Sequence, residues 1–114
     1  MSSDNQKPVE NVDICLLMDF YGQLLTQKTR EILELHFAED MSLAEISDQC
    51  HITRQAVHDT VRRGVLTLQE YEEKLSLVRR FMVQKDCIRE AIQDIDSGQA
   101  DAAKKKLTQL NQLI

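Results

Sequence analysis

The sequence predicts an all-helical protein, and three observations predict it. Its 114 residues include only 3 Gly and 1 Pro, too few for the turns that an all-β chain needs about every 8–12 positions. Every apolar pattern recurs at helical spacing, and no stretch alternates as a half-buried strand does. Aromatic residues make up 4% and Trp is absent, so the core must be aliphatic. The length fits a single helical domain, expected over residues 9–114, with residues 1–8 a polar, disordered N-terminus.

The elements follow in chain order. Pro8 suits a first helical turn, where its missing N–H costs nothing. After it, Val9, Val12, Ile14, Leu17, Met18, Tyr21, Leu24 and Leu25 keep helical spacing, and Gly22 weakens the end. Thr26 is an N-cap for a second helix whose apolar face is Ile32, Leu33, Leu35 and Phe37, with a break at Glu39-Asp40. Ser42-Leu-Ala-Glu45 is a capping box, so a short helix starts at Leu43 and runs to about Gln49. Cys50-His51-Ile52 is a turn, and Thr53 caps the next helix. In that helix Val57, Val61, Val65, Leu68, Leu75, Val78 and Met82 form one stripe, which predicts a single helix from Arg54 to Met82. Gly64 lies inside it, either to permit close packing or to mark a kink. Ile88, Ala91, Ile92 and Ile95 define a helix ended by Ser97-Gly98. Ala102, Ala103, Leu107, Leu110, Leu113 and Ile114 define the last one.

Composition narrows the class. Hydrophobic residues at 42% and charged residues at 29% are the balance of a soluble globular protein. No apolar run is long enough to span a membrane, and the first residues lack the apolar centre of a signal peptide. The three cysteines, Cys15, Cys50 and Cys87, are odd in number and form no CxxC pair, so we expect small core residues in a reducing cytoplasm. Formal net charge is −5, and the excess of acid lies wholly in residues 1–40, with 8 acidic against 3 basic side chains. Any nucleic-acid contact must therefore come from a local patch.

Residues 42–63, SLAEISDQCHITRQAVHDTVRR, have the layout of a helix-turn-helix: about two turns of helix, a three-residue turn and a longer helix. Ile46, Ile52, Val57 and Val61 would fix the crossing angle, and Ala44 and Ala56 would allow close approach. Thr53, Arg54, Gln55, His58, Arg62 and Arg63 then project from the half of the second helix that enters a major groove. Arg54 or Arg62 has the donors for guanine O6 and N7, and Gln55 for adenine N6 and N7. Thr53 with the helix N-terminus can hold a phosphate.

The residues Thr26-x-x-x-Arg30-x-Ile32-Leu33-Glu34-Leu35-His36-Phe37, Ser42-Leu43-Ala44-Glu45-Ile46 and Thr53-Arg54-Gln55-Ala56-Val57-His58 resemble region 4 of bacterial sigma-70-type factors over about residues 25–70. Nearly the whole chain resembles the small YlxM-type helix-turn-helix proteins of Firmicutes. This resemblance implies a sigma-70 region 4-like helix-turn-helix with a long recognition helix and two C-terminal helices. It also implies an accessory or regulatory role near the signal recognition particle pathway, because the family's genes sit beside those of its components.

The patch itself admits three readings: DNA contact, protein or RNA contact, or a solvated face inherited from a sigma-like ancestor. His51 occupies the turn position where many such motifs place Gly, and Asp59 sits beside His58 on the presumed reading helix. Three Arg against one Asp over 53–63 give a local charge of +2. Cys50, His51 and His58 do not supply the four ligands of a closed zinc site, so no metal is expected. No nucleophile, base and orienting group can be assembled from a local motif, and there is no Gly-rich phosphate loop, so neither catalysis nor a cofactor is expected. Lys104-Lys-Lys106 reads as an exposed face, with RNA or anionic lipid as the alternative.

The expectation is thus a cytoplasmic, non-enzymatic DNA-binding regulator. Its rival is a protein-interaction adaptor of the signal recognition particle pathway that uses the sigma-like fold as a scaffold. A homodimer built on the long helix and the C-terminal helices is expected as well, with a closed monomer, its C-terminal helices folded back on the long helix, as the alternative. Val65, Leu68, Leu75, Val78, Phe81 and Met82 extend the apolar stripe beyond the motif, Leu107, Leu110, Leu113 and Ile114 add a second apolar edge, and one helix-turn-helix contacts only one half-site.

Overall fold

The computed structural model describes residues 11–113. The disordered start expected for residues 1–8, and Pro8 with it, lies outside them. Among the described residues the chain forms six α-helices and no strand: α1 (Asn11–Tyr21), α2 (Gln27–Leu33), α3 (Leu43–Cys50), α4 (Arg54–Leu75), α5 (Leu77–Asp96) and α6 (Ala100–Leu113). They pack as two compact units that divide between Ser76 and Leu77.

In the first unit, helix ends fall where short-range chemistry puts them. The α-helix stops at Tyr21, and Gly22–Leu24 form a single 3-10 turn. Thr26 caps α2, its hydroxyl accepting from the Thr29 N–H at 3.2 Å. Beyond Leu33 the chain widens into a π turn over Glu34–Ala38, where the Glu39 N–H reaches back to the Glu34 carbonyl at 3.1 Å. The turn exits through Asp40 at φ 57°, a region that Asp tolerates better than most residues. His36 Nδ1 lies 2.8 Å from the Met41 carbonyl. The carbonyl can only accept, so this bond places the proton on Nδ1.

The core of this unit has two parts. Ile32, Ile46 and Val57 form one buried cluster, sealed by half-buried Leu35, Met41, Leu43, Cys50, Ile52 and Val61. Fully burying side chains of this size contributes roughly 1.5–3 kcal/mol each. Ile14, Leu17, Tyr21, Leu33 and Leu68 are buried as well. The Tyr21 hydroxyl donates to Glu72 Oε1 at 2.6 Å, and its ring stacks on Tyr71 with centroids 5.8 Å apart. The end of α1 is thereby tied to the last turn of α4.

Gly64 serves close packing. It is buried, and α4 continues through it to Leu75. The expectation of one helix from Arg54 to Met82 is corrected: Ser76 adopts the left-handed conformation at φ 55°, its N–H closing on the Glu72 carbonyl at 2.8 Å, and α5 begins at Leu77. The apolar stripe has only Tyr71 between Leu68 and Leu75, so it carries little information about phase where the helix ends. Ser is also a poor interior residue, because its hydroxyl competes for backbone partners. At 22 residues α4 is still the longest helix described.

The second unit is a hairpin of α5 and α6. Ser97 and Gly98 end α5, with Gly98 at φ 79°, a left-handed conformation that glycine adopts without steric cost. Ala91, Ala103 and Leu110 are the buried apolar residues of the hairpin. Lys106 on α6 bonds Asp94 Oδ2 on α5 at 2.7 Å and lies 3.7 Å from Glu90 Oε1. The Cys87 thiol donates to the Lys106 carbonyl at 3.4 Å. The three cysteines are free and half-buried.

Candidate nucleic-acid interface

The α3–turn–α4 segment is built by its own caps. Ser42 and Glu45 satisfy each other at the start of α3: the Glu45 N–H donates to Ser42 Oγ at 3.1 Å, and the Ser42 N–H to Glu45 Oε1 at 2.8 Å. The helix ends at His51, which takes φ 58°, ψ 43°. This is the left-handed turn position that the helix-turn-helix layout requires, held here by an imidazole-bearing residue in place of glycine. The Ser47 carbonyl accepts the N–H groups of both His51 and Ile52, and the Ser47 hydroxyl donates to the Ile52 carbonyl at 2.5 Å. Ile52 is thereby turned into the cluster around Ile46 and Val57, which sets how α4 leaves the turn.

Thr53 caps α4, its Oγ1 accepting from the Ala56 N–H at 3.0 Å. The hydroxyl proton is not used by that bond and remains available to an anion at the helix start. Val57, Gly64 and Leu68 mark the buried side of α4. At about 100° per residue counted from Val57, Arg54, His58, Arg62 and Gln55 fall at about 60°, 100°, 140° and 160°, one arc that starts at the flank of the buried side, and Arg63 falls at about 240°, beyond Asp59. These five residues and Thr53 are all exposed. Four of the six residues singled out from the sequence, Arg54, Gln55, His58 and Arg62, thus share one arc, while Thr53 caps the helix start and Arg63 lies across Asp59 from them. None of the three arginines has an ion-pair partner among the described residues, so their charge faces solvent undiminished.

Two features of this surface were not in the sequence-based set. Asp59 accepts from Gln55 Nε2 at 3.1 Å and lies 3.7 Å from His58 Nδ1. One carboxylate therefore accepts from Gln55 and lies beside the His58 ring. The i,i+4 spacing of Gln55 and Asp59 was the signal for the first contact. Leu66, 49% exposed, continues the arc and lines a shallow groove with Asp59, Arg62 and Arg63. Its place in the heptad-like stripe of the sequence hid it, since it falls between the core positions Val65 and Leu68.

Among the described residues, no three His, Cys, Asp or Glu side chains are grouped so as to hold a metal ion, and no helix is long and apolar enough to cross a membrane.

Comparison with known proteins agrees with this geometry. Residues 9–110 match the family described as "UPF0122: Putative helix-turn-helix protein, YlxM / p13 like". A UPF0122 protein of Desulforamulus reducens is 45% identical over 94 residues, covering 82% of this chain and 80% of the relative. One from Acetivibrio thermocellus is 47% identical over 85 residues, 75% of this chain and 73% of the relative. One from Symbiobacterium thermophilum is 40% identical over 97 residues, 85% of this chain and 91% of the relative. With its capped α3, left-handed turn and exposed basic arc on α4, and with a family match over most of its length, the chain belongs to the UPF0122 family of YlxM/p13-like helix-turn-helix proteins.

Proposed function

We propose that this chain is a non-enzymatic, cytoplasmic regulator that binds duplex DNA through the N-terminal half of α4 and acts as a homodimer. The observation that carries the reading is the single exposed arc of Arg54, Gln55, His58 and Arg62, on a helix whose start is fixed by the Thr53 cap and the His51 turn. Three unpaired arginines supply phosphate contact, and the Arg and Gln side chains supply the bidentate donors and acceptors that read base edges in a major groove. A salt titration of full-length protein on random-sequence duplex tests it. Affinity should fall steeply as salt rises, with a slope set by the phosphates neutralised. No measurable duplex affinity at low salt overturns the reading.

A second reading is supported by Asp59. With Gln55 bonded to its carboxylate and His58 beside it, the arc is weaker than a typical reading face. A scaffold that contacts protein components of the signal recognition particle pathway would tolerate this, and it would show no duplex affinity. Weak contact with structured RNA is distinguished in the same titration by competition with a folded RNA hairpin.

A further inference from the structure

A second surface of the first unit has a different character from the α4 arc. A groove opens between α2, the π turn and the end of α3. Its floor is apolar: Ile32, almost wholly buried, with half-buried Leu35, Met41 and Cys50. Its rim carries the exposed carboxylates of Glu31, Glu34 and Glu39, opposed by Lys28 alone. None of the three carboxylates has an ion-pair partner among the described residues; Glu31 accepts only from the amide of Gln27, at 3.0 Å. The acid excess of the first 40 residues is therefore concentrated, in part, around an apolar trough that no arginine of α4 lines.

The π turn makes this trough. One extra residue in the turn after Leu33 carries Glu34 and Glu39 outward, while Leu35 and Met41 stay against the Ile32–Ile46–Val57 cluster. The Met41 N–H bond to the Leu35 carbonyl at 3.0 Å, and the His36 contact to the Met41 carbonyl, pin the far wall. Met41 presents a flexible, polarisable side chain to the groove, a residue type suited to packing against varied apolar partners.

We propose that this groove docks a peptide segment of another protein that inserts apolar side chains over Met41 and Leu35 and flanks them with Lys or Arg facing Glu31, Glu34 and Glu39. The apolar floor supplies affinity, and the uncompensated rim selects basic flanks and rejects acidic ones. The groove is lined by none of the α4 residues proposed to contact the duplex, so its occupation does not require duplex binding.

The test is selection of a random peptide phage library against the full-length chain, followed by binding of the selected peptides to Glu34→Lys/Glu39→Lys. The proposal expects apolar peptides with basic flanks and a loss of at least about tenfold in affinity for the charge-reversed variant, since like charges then meet across the rim. Methyl-labelled methionine gives the location: the chain has 4 Met, and the peptide should shift the Met41 signal, assigned with Met41→Leu, while Met82 in the other unit stays unmoved. An unchanged far-UV melt for the charge-reversed variant shows that it folds. Failure to enrich any peptide overturns the proposal. So does binding that ignores the charge reversal, that leaves Met41 unmoved, or that unstructured polylysine reproduces. Loss of duplex binding by Arg54→Ala with peptide binding intact shows that the two surfaces stand or fall independently.

Discussion

A Cβ placed on Gly64 would lie 2.8 Å from Leu33 Cδ1, and 3.0 Å from Thr29 Cγ2. Gly64 therefore sets the distance at which α4 packs on α2, and Leu33, with no exposed surface and its Cγ also only 3.2 Å away, cannot swing out into solvent. In an exposed helix Gly64→Ala would gain about 1 kcal/mol of helix propensity. Here the added methyl overpacks a sealed contact, which typically costs about 1–3 kcal/mol. We expect a net loss of about 1–2 kcal/mol in a urea titration. A more stable variant would show that α2 and α4 have slack at this contact.

The His51 turn gives a substitution with the opposite sign. A residue with a Cβ at φ 58° carries a steric cost of about 1–2 kcal/mol, part of which glycine recovers before its own unfolded-state entropy is counted. His51→Gly should stabilise the chain by about 0.5–1 kcal/mol, and His51→Val, β-branched, should destabilise it. Because His51 is not among the residues of the α4 arc, duplex affinity should be the same for wild type and His51→Gly. A large change in affinity would place the imidazole in the interface.

These two positions show what was legible in the sequence. The caps were, because each depends on residues within a few positions: Thr26, the Ser42–Glu45 box, Thr53 and Gly98 sit where expected. The turn at His51 followed from the spacing of the motif. The exposure of Arg54, Gln55, His58 and Arg62 followed from the helical period. Ser76 did not, since Leu75 and Val78, three positions apart, keep helical spacing across the single left-handed residue that ends α4. Neither did the π turn at Glu34–Ala38, where one additional residue shifts the register while the apolar residues on both sides still face the core. Gly64 was readable only as a choice between a kink and close packing; Leu33 and Thr29, about 30 residues earlier in the chain, decide it.

On the α4 arc, Arg54 and Asp59 should act in opposite directions. Arg54→Ala removes an exposed, unpaired cation and should weaken duplex binding by about 1–3 kcal/mol if it reaches a base. Its thermal midpoint should be nearly unchanged, as for most surface substitutions. Asp59→Asn removes the carboxylate that engages Gln55 and lies beside His58, and should tighten duplex binding and steepen its salt dependence. Filter binding at two salt concentrations measures both. An Asp59→Asn protein that binds no better would mean that Gln55 and His58 take no part.

Lys106 provides a pH-dependent marker of the hairpin. Its ammonium is held above the ordinary lysine range of 10.5 chiefly by the hydrogen bond to Asp94, with the nearby carboxylates of Asp94 and Glu90 adding to it against partial desolvation. A raised folded-state value means that this contribution is fully present below the ordinary range. It is lost as pH climbs through the raised value. The α5–α6 amides should therefore exchange faster with rising pH at the alkaline end than the intrinsic rate alone predicts. Lys106→Gln should remove that excess. The effect is small, because the side chain is 35% exposed and its charge partly screened by solvent.

The last prediction concerns what covers the hairpin. Among its described residues, two of the three buried apolar side chains are alanines, whereas Ile88, Ile92, Ile95 and Leu107 are 45%, 54%, 55% and 41% exposed. Ile88, Ile92 and Ile95 recur at four and three residues along one side of α5, and Leu107 continues that apolar surface on α6. A two-helix unit that leaves large apolar side chains in water has a face that a partner surface can cover. A second hairpin of the same kind would complete four helices around a common core. Two copies would also present two α4 arcs to successive half-sites, which is how a single weak reading face gains affinity. Sedimentation equilibrium of the full chain at micromolar concentration should show a species of twice the chain mass. Ile92→Glu, placing a charge at the centre of the exposed face, should convert it to one chain mass while keeping its helical spectrum. The same variant should bind a duplex with two half-sites no more tightly than a duplex with one. Wild-type protein at the mass of one chain would remove the dimer, and an Ile92→Glu protein that stays dimeric would move the interface off the hairpin.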